Sequence, residues 1–173
     1  MSEHSELLKL MEERYSVRSY SGRPVEDGKL ELILRAGLCA PTAVNRRPQR
    51  VFVLRSRKAL EKASEVTRFT FGAPVILLVC SDTDAGRTTD DGQYLGTVDA
   101  SIATTQMMLE AWELGIGSCW VRGFDRKKVS EAFDLPDNLL PEAMLPMGYP
   151  SEDSEPSQMH FIGIPMSRMA TYL

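Results

Sequence analysis

Two guanidiniums lie four residues apart in Arg14-Tyr15-Ser16-Val17-Arg18-Ser19-Tyr20, with a hydroxyl between them and a polar loop after them. Arginine presents a planar fork of donors that matches phosphate bidentately, and a serine hydroxyl adds a neutral donor. The set suits the phosphate of a small ligand, although the same residues on an exposed helix would also serve as solvated surface. Other chemistries are poorly supplied. Cys39, Cys80 and Cys119 are scattered among apolar residues without a CxxC pair, which suits reduced thiols packed as small hydrophobes. No signature of cysteine catalysis surrounds them, so pairing with His4 or His160 is disfavoured. Turn chemistry accounts for the acidic loop of Asp82, Asp84, Asp90 and Asp91, and no metal site is expected. The pair Gly115 and Gly117 is followed by Trp120 where a dinucleotide fingerprint needs a third glycine, and there is no Walker A lysine.

The elements that must position these residues follow from periodicity. The chain has 173 residues, 43% hydrophobic and 25% charged, which suits one domain over residues 1–173. A net charge of -4 and a pI near 5.3 argue against a general nucleic-acid partner. The longest apolar run, residues 73–80, is far shorter than the roughly 20 residues of a membrane helix, and the N-terminus is polar. A cytoplasmic protein with no membrane partner is expected. Helices are predicted over 5–15, 26–38, 57–66 and 97–114, with another capped by Asp125. The helix over 97–114 is apolar nearly all round, as in a core helix or one facing a partner chain. Strands are predicted over 50–55, 74–80, 115–121 and 143–148, the second buried on both faces, the last marked by Pro146 as an edge or a bulge. Residues 150–173 read as an irregular tail, with a short helix after Pro165, whose apolar residues favour wrapping. Periodicity alone gives an α/β-type domain with helices over about four strands.

Four segments in order resemble the nitroreductase family of FMN-dependent oxidoreductases. The run from Arg14 to Tyr20 is similar to its N-terminal signature, and Ala40-Pro41-Thr42-Ala43-Val44-Asn45-Arg46-Arg47-Pro48-Gln49 to its second. The helix from Asp99 to Leu114 with Gly115-Ile116-Gly117-Ser118-Cys119-Trp120-Val121-Arg122-Gly123-Phe124 resembles the third, and Leu145-Pro146-Met147-Gly148-Tyr149-Pro150 the closing strand. The resemblance implies an α+β sandwich with a mixed, mostly antiparallel sheet and helices around a central helix. It also implies a domain-swapped homodimer, with residues 150–173 wrapping the partner subunit and FMN at the interface.

Carried over by position, Arg14, Ser16 and Arg18 would hold the phosphate, ribityl or pyrimidine edge of FMN. Pro41, Thr42, Ala43 and Asn45 would approach from the other subunit. Val121, Arg122 and Gly123 would run beside the ring, a backbone N–H meeting N5, with Gly123 allowing close approach. Tyr15 and Gln49 complete the implied cofactor contacts. The family's C-terminal basic phosphate contacts are missing, since that place reads Phe161-Ile162-Gly163-Ile164-Pro165, and Arg168 is the expected substitute. The implied activity is ping-pong hydride transfer from NAD(P)H through flavin N5 to a small-molecule oxidant such as a nitroaromatic or quinone, with no side chain assigned as acid. Dehalogenation or dehydrogenation on the same fold, and non-enzymatic FMN sequestration, are the competing readings.

Overall fold

The computed structural model describes residues 5–173, so His4 and the rest of the extreme N-terminus lie outside the described residues. Ser5 caps α1 (Glu6–Glu13), its Oγ accepting the Leu8 N–H at 3.2 Å. Ser56 and Asp125 do the same for α3 (Arg57–Val66) and α5 (Arg126–Ala132), through the N–H groups of Ala59 and Lys128. The second helix, α2 (Asp27–Leu38), lacks a side-chain cap but carries Asp27 in its first turn, where the helix dipole favours an anion. The longest, α4 (Gly96–Glu113), stops at Gly115, whose φ of 74° is easy only for glycine.

The strands β1 (Gln49–Leu54), β2 (Val75–Asp82), β3 (Gly117–Ser118) and β4 (Leu139–Gly148) form one sheet in the order β1-β2-β4-β3. Every ladder is antiparallel, and a parallel bridge from Ser16 to Ser118 lays the N-terminal segment beside β3. The result is an α+β sandwich. In β2, Val75, Leu77 and Val79 pack against α2 and α4 through Ile33 and Met107. Ile76, Leu78 and Cys80 face α3 and α5 through Ala63 and Val129. A strand covered on both faces has no reason to alternate, which explains its continuous apolar run. The α2–α4 contact is close because Gly37 has no side chain. A Cβ there would sit 3.0 Å from the Met107 side chain.

Three expectations need correction. Pro146 is not on an edge, since β4 lies between β2 and β3. Its carbonyl accepts from the Cys119 N–H on the β3 side, and the N–H that proline lacks falls on that same side, beyond the last β3 residue. The register irregularity lies instead between Val79 and Cys80, opposite Pro141. The strand expected over 115–121 is a two-residue ladder plus a bridge from Val121 to Met144. Finally, Cys39 is exposed, unlike the buried Cys80 and Cys119.

The tail carries a 3-10 turn (Gln158–Phe161) and α6 (Met166–Met169). Met159, Phe161, Ile162, Ile164, Met166 and Met169 are between 61% and 76% exposed, an apolar stretch left largely uncovered by the described residues. Among the described residues, no helix is long and apolar enough to cross a membrane.

Candidate functional site

Arg14 closes α1, its N–H reaching back to the Leu10 carbonyl. Beyond it the chain extends along β3, where the Val17 N–H donates to the Ser118 carbonyl at 3.0 Å. Gly117 makes room for this crossing, because a Cβ there would lie 2.5 Å from Val17 Cγ2. Tyr20 secures the far end by donating to the carbonyls of Val17 and Pro146, and burial pushes its phenol well above the ordinary range. With Val17 buried inward, Ser16 and Arg18 fall on the opposite side, and Arg18 donates to the Ser16 carbonyl.

These residues open onto a cavity of about 320 Å³ lined by Arg14, Tyr15, Ser16 and Arg18 from this segment and by Ser157, Met159 and His160 from the tail. None of the seven is acidic. Among the described residues, Arg14 Nη1 has no hydrogen-bond partner although it is buried there, an arrangement that favours an incoming anion. Cys119 adjoins the corner. Burial pushes its thiol up, against the pull of Arg18, Ser16 and Arg14. A larger cleft of about 790 Å³ lies between α3 and the start of β2, but its arginines are paired. Arg57 meets Glu61 at 2.8 Å and Arg55 meets Asp27 at 2.5 Å, so the smaller cavity is the better anion site.

Residues 121–123 lie a few residues beyond the Ser16–Ser118 bridge, so the structure brings them to the same side of the fold as Arg14, Ser16 and Arg18. Val121 exchanges both backbone hydrogen bonds with Met144 at 2.9 Å, which commits its N–H to the sheet. Among the described residues, the N–H groups of Arg122 and Gly123 have no partner. Gly123 is held from behind: Thr67 Oγ1 donates to its carbonyl at 2.9 Å, and a Cβ on it would lie 2.5 Å from Phe69 Cε2. Desolvation, then repulsion from Arg126, lowers the pKa of Arg122 against the pull of Glu142. Glu142 itself is buried and accepts from Ser81, Thr97 and Arg126.

The loop over 41–45 goes elsewhere. The Ala43 N–H donates to Asp99 Oδ1 at 2.9 Å, and Asp99 is 2% exposed with its other oxygen unpartnered. Thr42 Oγ1 accepts the Arg47 N–H, and Asn45 Oδ1 accepts from Arg47 Nε. Val44, Asn45 and Arg47 all have positive φ, of 46°, 57° and 51°. Asp99 sits in the first turn of α4, whereas Tyr15 packs on Trp112 near its end, with ring centroids 5.2 Å apart. Thirteen residues of rise separate the two ends, roughly 20 Å. Gln49 points back against α2, its Nε2 3.5 Å from the Gly37 carbonyl. Arg168 lies exposed on α6 and does not line the cavity, which takes His160 instead. Sequence reasoning missed His160, Ser157 and Asp99; the one available signal was a lone histidine in the tail segment.

The family model for the nitroreductase family matches residues 11–71 and 66–149. An Archaeoglobus fulgidus protein bearing the double name NADH dehydrogenase/NAD(P)H nitroreductase is 35% identical over 159 residues, covering 87% of this chain and 88% of that one. The crystal structure of a nitroreductase family protein from Clostridium difficile 630 superposes with a TM-score of 0.90 at 40% identity, covering 98% of both chains. A Desulfovibrio desulfuricans structure in complex with FMN gives a TM-score of 0.82 at 27% identity, again over 98% of both. With the matched segments spanning the arginine corner, the 41–45 loop and the strand end at 121–123, this chain belongs to the nitroreductase family.

Proposed function

We propose that the protein is an FMN-dependent NAD(P)H oxidoreductase that works as a homodimer. The observation carrying this reading is the buried, unpartnered Arg14 Nη1 in a donor-rich cavity without acids. The phosphate of FMN fits that corner, with Arg14, Ser16 and Arg18 as its donors. The free N–H groups of Arg122 and Gly123 supply hydrogen bonds along the ring end. Bound there, FMN supplies the two-electron hydride chemistry that the chain's own side chains lack. The protein contributes position and potential. Arg122, beside Arg126, keeps the ring end electropositive.

A second chain completes the site. Within one chain the 41–45 loop lies roughly 20 Å along α4 from the Tyr15 end of the cavity, so it serves a flavin held by the partner. The exposed apolar residues of the tail suit a wrap across that partner. One cleft receives the reduced nicotinamide and then a small conjugated oxidant, a nitroaromatic or quinone, in ping-pong order. The test is spectral. Purified protein should be yellow, bleach on anaerobic NAD(P)H and recover its colour with a quinone. A colourless protein that ignores added FMN refutes the proposal. One that binds FMN but never bleaches is a sequestering dimer instead.

A further inference from the structure

The cavity has a second wall that is not supplied by the arginine segment. His160 rides on the 3-10 turn Gln158–Phe161, which Ser157 caps by accepting the Met159 N–H at 3.2 Å. Its imidazole belongs to an aromatic ladder. Tyr15 meets Trp112 at 5.2 Å and His160 at 6.3 Å, and His160 meets Phe161 at 5.1 Å, all edge-on. Tyr15 is fixed in turn by donating to the Ser154 carbonyl at 3.0 Å, which ties the tail to the segment carrying both guanidiniums. The ladder thus holds His160 in the same cavity of about 320 Å³ that Arg14 and Arg18 line, beside Ser157. With no acid among the lining residues, an anion entering the cavity would meet donors from both the arginine segment and the imidazole.

We infer that His160 is a phosphate-recognising residue, contributed by the tail, that makes the site select a phosphorylated flavin over the unphosphorylated one. The inference rests on the flavin reading above. It gives the tail a role in its own subunit in place of the missing basic pair, and assigns that role to His160, not Arg168. An imidazole donates from one nitrogen when neutral and from both when charged, so the contact survives either protonation state.

The experiment is a fluorescence titration of the flavin-stripped, full-length chain with FMN and with riboflavin. The expected result is an FMN dissociation constant raised about tenfold or more in His160→Ala, with riboflavin binding unchanged. Arg14→Ala should show the same signature, Arg168→Ala no change, and His160→Lys should recover FMN binding. Equal loss of both flavins in His160→Ala overturns the inference, since the ring then only packs the tail. So does unchanged FMN binding. A wild-type chain that binds neither flavin overturns the flavin reading itself and this inference with it.

Discussion

Replacing Gly123 by Ala drives a methyl group into Phe69. The added carbon would lie 2.5 Å from Cε2 and 2.8 Å from Cδ2 of that ring, whereas carbons in contact prefer about 3.5–4.0 Å. Either the ring or the 121–123 backbone must therefore retreat by about 1 Å. Phe69 is partly exposed, but Phe71 lies 6.2 Å away on one side and the Arg68 guanidinium stands 4.8 Å over the ring. Overpacking of this kind costs about 1–3 kcal/mol. Against it, Gly→Ala gains about 0.4–1 kcal/mol by restricting the unfolded chain. Once Phe69 is also replaced by Ala the clash disappears and the same change becomes neutral or slightly stabilising. The unfolded-state gain is common to both backgrounds, so a double-mutant cycle should show a coupling equal to the clash, about 1–3 kcal/mol. Urea unfolding of flavin-free protein, followed by the fluorescence of Trp112 and Trp120 at fixed protein concentration, measures it. A coupling below about 0.5 kcal/mol, with flavin affinity equally damaged by Gly123→Ala in both backgrounds, would refute the reasoning. Gly123 would then be required by the ligand and not by the ring behind it.

Other outcomes are as definite. Val44 holds a left-handed backbone that costs an L-residue about 1–2 kcal/mol, and it is 76% exposed. Val44→Asn should therefore raise the melting temperature by about 2–4 °C, and a lower value would show that the loop is unstrained there. Burial pushes the Asp82 carboxyl up, but donors from Asn138, the Asp84 N–H and Arg50 outweigh it and hold the group below the usual carboxylate range. A depressed folded value means stability present above about pH 3.9 and lost as pH falls through the folded value. Asp82→Asn should flatten the fall in urea midpoint between about pH 5 and pH 3, and an unchanged slope would sink this assignment. On the proposal that two chains share the site, dilution that splits the dimer should release flavin. Flavin kept by a demonstrable monomer in analytical ultracentrifugation would contradict the shared site.

Local chemistry was legible where one stretch of chain decides the outcome. The uninterrupted run 75–80, the glycine at 115 and the cap at Asp125 each fixed an element without help from elsewhere. What stayed hidden depends on partners distant in sequence. β4 was expected to begin at 143 but begins at Leu139 and runs through Pro141 and Glu142. Glu142 is tolerated inside only because Ser81, Thr97 and Arg126 converge on it from three other elements. Gly123 was read as a surface for the cofactor, yet Phe69, fifty-four residues earlier, occupies the space its side chain would need. The arginine corner was suggested by residue types together with the family resemblance. Its other wall was not, since nothing in the tail sequence shows that Tyr15 captures Ser154 and so brings His160 round.

The arrangement along α4 bears on how many chains the proposed site needs. Its first turn holds the 41–45 loop through Asp99, and its last turns hold the arginine corner through Trp112 and Tyr15. An 18-residue helix is rigid on this scale, so no loop motion within one chain brings its two ends to one ligand. The strained backbone at Val44, Asn45 and Arg47 is then hard to explain as packing, because Val44 projects into solvent. Backbone strain on an exposed loop is consistent with a surface shaped for another copy. The same reasoning covers the tail, which is ordered as far as His160 by contacts to its own Tyr15 and then presents Phe161, Ile162 and Ile164 outward. On the proposed reading, one part of the tail completes the site of its own chain, and the part after it is left for a partner.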